Sequence, residues 1–63
     1  MLTEADIERA AQVVIDNKGG NAARAAEHRI NRLSNEGQPE AAAIWRRIER
    51  AICTLLADKA AAD

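Results

Sequence analysis

Set on a helical wheel at about 100° per residue, the stretch from Gln38 to Lys59 gathers its bulk on one side. Ile44, Leu55, Ile48, Ala41, Ile52, Trp45 and Leu56 fall together there, with Ala51 at the edge. Arg46, Arg47, Glu49, Arg50, Thr54 and Asp58 fall elsewhere. So broad an apolar sector exceeds what one neighbouring helix covers. The chain must bring more than one helix to this one, or recruit a second subunit. Pro39 suits the first helical position, where its missing N–H costs nothing. Glu40 lies in the first turn, where the helix dipole favours an anion. Gln38 is a mediocre cap. The alanine run Ala60 to Ala62 lets the helix continue or fray, and residues 60–63 are the part most open to disorder.

The 63 residues make one small domain, which buries a limited share of its surface and has little stability to spare. A single cysteine excludes an intrachain disulfide, and one histidine with one cysteine gives no metal-ligand cluster. Much of the apolar composition is alanine, Phe and Tyr are absent, and Trp45 is the one aromatic residue. Trp45 is therefore expected to be the most important single packing residue. A core this thin makes self-association an expectation. The formal charge of −1 gives no long-range field toward nucleic acid or anionic membrane. No stretch has the length of a membrane span, and the acidic opening Leu2-Thr3-Glu4-Ala5-Asp6 is unlike a signal peptide. The lone thiol fits a reducing cytoplasm.

Two shorter helices precede the long one. Thr3 is a good N-cap, and Asp6 stands where the second half of a capping box belongs, although Asp is shorter than the usual Glu or Gln. Leu2 and Ile7 have the spacing of a hydrophobic staple. Ile7, Ala11 and Val14 share a face with Ala10 and Ile15 nearer its edge, while Val13 lies off the stripe. Lys18-Gly19-Gly20 stops this helix, and Asn21 is the natural cap of the next. The second helix presents Ala22, Ala26, Ile30 and Leu33, with Ala23 beside them, a small-residue face that another helix can approach closely. Gly37 is the best candidate for the left-handed residue that ends it. Short links make neighbouring helices antiparallel, and no strand signal, internal repeat or second domain is visible.

The pattern Arg29, Leu33, Gly37, then Trp45, Ile48, Ala51-Ile52 and Leu55 resembles a family of short bacterial all-helical proteins of uncharacterised function. In these, a helix ending in glycine precedes one reading Trp-x-x-Ile-x-x-Ala-Ile-x-x-Leu. The resemblance covers about residues 7 to 56. It implies a helical fold and a bacterial cytoplasmic origin, and it brings no activity.

Catalysis needs a nucleophile, a base and an orienting group that converge. His28 belongs on the exposed side of its helix, and the pair Glu4 and Glu8 lies on an outer surface with nothing to desolvate it, so the chain reads as a non-enzyme. Cys53 sits near Glu49 and Arg46 and reads as a partly exposed helix-flank residue. Arg24, His28 and Arg32, four apart, form one line along the second helix. Residues 24–50 hold six arginines and four glutamates, a net +2. A helix–turn–helix reader of DNA would need base-reading side chains at the start of its recognition helix. Here that start is Pro39-Glu40-Ala41-Ala42-Ala43, acidic and without base-reading groups. Arg29 projects to the edge of the alanine face, its stem covering apolar surface while its guanidinium reaches for an acid.

The expected architecture is an all-α, small antiparallel three-helix domain with helices near 4–17, 22–35 and 39–59. The expected function is a non-catalytic protein–protein interaction or self-association module in the cytoplasm. The alternative is a small nucleic-acid or anion-binding regulator using Arg24, His28 and Arg32. Candidate interaction residues are those three with Val13, Trp45 and Leu56. No cofactor or metal is expected, and the expected partners are proteins, a second copy included. A homodimer would form through the edge of the third helix, with Leu56 or Trp45 and Val13 contributing.

Overall fold

The computed structural model describes residues 2–62, with the side chains of residues 61 and 62 left aside. It is all-α, with no strand among the described residues. Helix α1 spans Glu4–Lys18, α2 spans Ala22–Asn35 and α3 spans Pro39–Ala62. In place of three helices set apart by loops, the chain has two uninterrupted helical runs, 4–35 and 39–62. α1 passes through one turn of 3₁₀ helix, Gly19–Asn21, straight into α2. α3 continues through the alanine run to Ala62, since alanine is the strongest helix former. Asp63 lies outside the described residues.

The joint at Gly19 explains the first run. Gly19 adopts φ 59°, ψ −131°, closed to residues with a Cβ, and its N–H still donates to the Ile15 carbonyl. The N–H of Ala22 then donates to the Gly19 carbonyl, so the chain turns without leaving helical pairing. The expectation that Asn21 caps α2 is wrong. Its backbone, at φ −92° and ψ 6°, is not extended, and its side chain makes no capping hydrogen bond.

At the other joint the sequence expectation is met in full. Gly37 has φ 74°. The N–H of Gln38 donates to the Leu33 carbonyl at 2.9 Å, and that of Gly37 to the Ser34 carbonyl at 3.2 Å. These two bonds are the Schellman pairing, which satisfies carbonyls orphaned at a helix end. Pro39 follows as the first residue of α3, and the Gln38 carbonyl accepts from the N–H of Ala42 at 3.0 Å.

The capping box of α1 is complete despite the short Asp. The Thr3 N–H donates to Asp6 Oδ2 at 3.0 Å, and the Asp6 N–H donates to Thr3 Oγ1 at 3.2 Å. Leu2, the other half of the anticipated staple, keeps 47% of its surface exposed.

The core is a seam along α3. Ile48 and Ile52 meet Ile7, Ala11 and Ile15 of α1 and Ala22 and Ala26 of α2. Both α1 and α2 pack chiefly against α3, α2 the more extensively. Ile52 is the largest fully enclosed side chain, at 0% exposure. Trp45, the expected main packing residue, is partly buried and packs against this cluster. Ala42 is also enclosed, although it lies outside the predicted stripe.

Candidate functional site

Residues 13, 14, 17 and 18 project from one flank of α1, and residues 12, 15, 16 and 19 from the other. Each flank borders a hollow. The first is an open groove of about 570 Å³ in which Val13 and Val14 of α1 face Ala25 of α2 and Trp45 of α3. Lys18, His28, Arg29 and Arg32 complete its lining with Asn17. Val13 is 54% exposed, and with Leu2 it is one of two large aliphatic side chains left exposed among the described residues. The second hollow, of about 410 Å³, lies between Gln12, Ile15 and Asp16 of α1, the Gly19-Gly20 joint, and Leu55, Leu56 and Lys59 of α3.

Four of the six sequence candidates therefore share the first groove: Val13, His28, Arg32 and Trp45. Leu56 belongs to the second, on the opposite flank of α1, so one patch does not unite it with Val13. Arg24 is exposed on α2 and lines neither hollow. The basic line is also less free than its spacing suggests, because Arg32 Nε lies 3.5 Å from a carboxylate oxygen of Glu36.

Arg29 is the residue that sequence reasoning misplaced. Its guanidinium reaches an aromatic face, 5.1 Å above the centroid of the Trp45 ring, in place of an acid. A cation at that distance is attracted by the negative face of the ring, and the planar guanidinium stacks well on an indole. The signal was present in the wheel: Arg29 sits at the edge of the α2 face that packs on α3, and Trp45 is the aromatic residue of that helix. Lys18 was missed because it reads as a helix-ending cation rather than a groove wall.

Elsewhere the surface is ordinary. Arg47 Nη2 lies 3.1 Å from Glu4 Oε1, joining the middle of α3 to the start of α1, and both side chains are largely exposed. Gln12 Nε2 donates to Asp16 Oδ1 at 2.9 Å. Cys53 is exposed. The Asp6 carboxyl is held below the ordinary carboxylate value, first by the Thr3 N–H that donates to it and then by the Thr3 hydroxyl. Among the described residues no three His, Cys, Asp or Glu side chains cluster as metal ligands, and no helix is long and apolar enough to cross a membrane. Comparison with protein-family models, with curated proteins and with solved structures finds no match.

Proposed function

We propose that the protein is a non-catalytic helical interaction module whose contact surface is the groove between Val13 and Trp45. The observation that carries this reading is the pairing of an exposed valine with a partly buried tryptophan in one concave site. Large aromatic side chains with an apolar neighbour and an arginine at the rim are the composition of binding hot spots. The groove is open and preformed, and a segment laid along it would cover Val13. A cytoplasmic setting and the resemblance to short bacterial helical proteins belong to the same reading. Trp45 is the sole aromatic residue, so its emission reports on the groove. Immobilised chain should retain at least one protein from a lysate of the source cell, and Val13→Glu should abolish the retention. Retention indifferent to Val13→Glu places the contact elsewhere.

Self-association is part of the proposal and belongs to the other flank. The hollow at Leu56 pairs partly buried Leu55 and Leu56 with one acid, Asp16, and one base, Lys59. A charge-balanced patch of mixed polar and apolar lining is compatible with twofold pairing, in which each patch meets its own copy. Sedimentation at micromolar concentration tests this. A monomer mass, with a thermal midpoint unchanged across hundredfold dilution, rules the homodimer out.

The second reading, binding of nucleic acid or another polyanion along Arg24, His28 and Arg32, is favoured by one observation: His28 and Arg32 line the Val13–Trp45 groove with Lys18 and Arg29 and no described acid, while Arg24 stands exposed outside it. Retention on heparin that falls steeply as salt rises would support it.

A further inference from the structure

We infer that the occupant of the Val13–Trp45 groove is an acidic peptide segment of another protein, carrying one large apolar residue as its anchor; this rests on the groove being the interaction site proposed above. The groove is amphipathic in a specific sense. Its floor is Val13, Val14 and Trp45, and its polar lining is Lys18, His28, Arg29 and Arg32 with one amide. The nearby acid Glu36 is taken up by Arg32, and Glu27 projects from the opposite flank of α2. Asp16 belongs to the other hollow. An apolar residue entering the groove therefore arrives among three cations, Lys18, Arg29 and Arg32, with no acid among the described residues of its lining.

Charge also discriminates between candidate occupants. A second copy pairing through the same groove about a twofold axis would set Lys18, Arg29 and Arg32 against their own duplicates, and like charges across an interface disfavour it. A polyanion without side chains, such as single-stranded nucleic acid, would use the cations and stack bases on an open aromatic face. The Trp45 face already carries the Arg29 guanidinium, so a base would have to displace it. A peptide carboxylate needs no displacement. Arg29 is held over the indole by cation–π attraction, and a guanidinium on an exposed side chain can still receive a carboxylate in bidentate fashion. The anchor side chain then lies between Val13 and the exposed part of Trp45.

Trp45 emission tests this with three synthetic peptides of equal length, each with a single central leucine, the polar positions being all Glu, all Gln or all Lys. The Glu peptide should shift Trp45 emission saturably and bind most tightly, and its affinity should weaken as salt rises. Arg29→Gln should weaken it about tenfold or more, the scale of losing a hydrogen bond between charged groups. Arg32→Gln should weaken it less, since Arg32 already shares Glu36. Both residues are exposed, so an unchanged circular dichroism spectrum and melting curve would show that the variants fold. Equal binding of all three peptides would overturn the acidic preference while leaving the groove as an interaction site. A Trp45 signal that no peptide moves would overturn both readings. A thymidine oligonucleotide that shifts Trp45 where the Glu peptide does not would overturn the inference in favour of nucleic acid.

Discussion

α2 meets α3 through small residues, with Ala22 and Ala26 wholly enclosed and Ile30 beyond them, whereas α1 brings two isoleucines, Ile7 and Ile15, on either side of Ala11. Small residues let α2 lie along α3 over a longer shared surface, and the Schellman link holds the two helices in register. Larger side chains give α1 more apolar burial per contact, but they leave its flanks standing open. Val13 stands exposed on α1, and the groove beside it is lined equally by α1 and α2. Close approach through alanine stabilises the α2–α3 pair, whereas α1 shares less of its length with α3 and leaves Val13 exposed. Amides of α1 should accordingly exchange with solvent faster than those in the middle of α2 and α3.

The substitution with the largest effect acts where the two helices share a neighbour. Ile52→Ala removes the most enclosed large side chain, from a seam that α1 and α2 both use. The expected loss is about 2–5 kcal/mol, enough to unfold a domain of this size. A thermal transition shifted by only a few degrees would mean that α1 and α2 hold α3 independently. Trp45→Ala should cost less than Ile52→Ala, because Trp45 is partly exposed and packs at the margin. The reverse order would return the centre of the core to Trp45.

The two ends of the comparison have their own local locks, and each is worth about 1 kcal/mol. Thr3→Ala opens the capping box that starts α1 and should destabilise by about that amount. The same lock gives a pH signature. Asp6 titrates below its ordinary value in the folded chain, so its contribution is complete above the unfolded carboxylate value and is lost as pH falls through the folded one. Asp6→Asn should flatten that part of the stability profile, and Thr3→Ala, which keeps the Thr3 N–H, should flatten it only in part; a profile unaltered by Asp6→Asn would assign the acid sensitivity to other carboxylates. Gly37→Ala strains the Schellman turn, where φ is 74°, and should cost roughly 1 kcal/mol although a Cβ there meets open space. A neutral result would mean that the α2–α3 link tolerates a different turn.

How much of this could be read from residues depends on the kind of signal. Helix limits were legible because caps and stops are local: Thr3, Gly37 and Pro39 each act within one turn. The continuity of α1 into α2 was not, because Gly19-Gly20-Asn21 is as good a signal for a loop as for a 3₁₀ turn, and only the tertiary pull of α3 on both helices selects between them. Val13 was legible as a residue off its stripe. Its meeting with Trp45 was not, since that depends on the angle at which α1 crosses α3. The same holds for Arg29, whose chemistry would accept an acid or an aromatic ring equally well. Leu56 and Val13 looked like one apolar edge on separate wheels, and the crossing of α1 placed them on opposite flanks.

The smallest expected effect concerns the contact that ties the start of α1 to the middle of α3. Glu4 and Arg47 are 43 positions apart in the chain and meet at 3.1 Å. Such a link looks like the clasp that compensates for looser packing. Its two side chains are 81% and 49% exposed, however, so water and salt screen the attraction, and holding both side chains in place costs conformational freedom. Glu4→Gln should therefore change stability by no more than about 0.5 kcal/mol. Because Glu4 stands in the first turn of α1, part of even that change would come from its favourable interaction with the helix dipole. A double-mutant cycle with Arg47→Gln separates the two contributions: the coupling energy reports the pair, and the remainder reports the dipole. A coupling well above 1 kcal/mol would show that α1 is fastened at its first turn by charge, and the contrast between a tight α2 and a loosely held α1 would have to be abandoned.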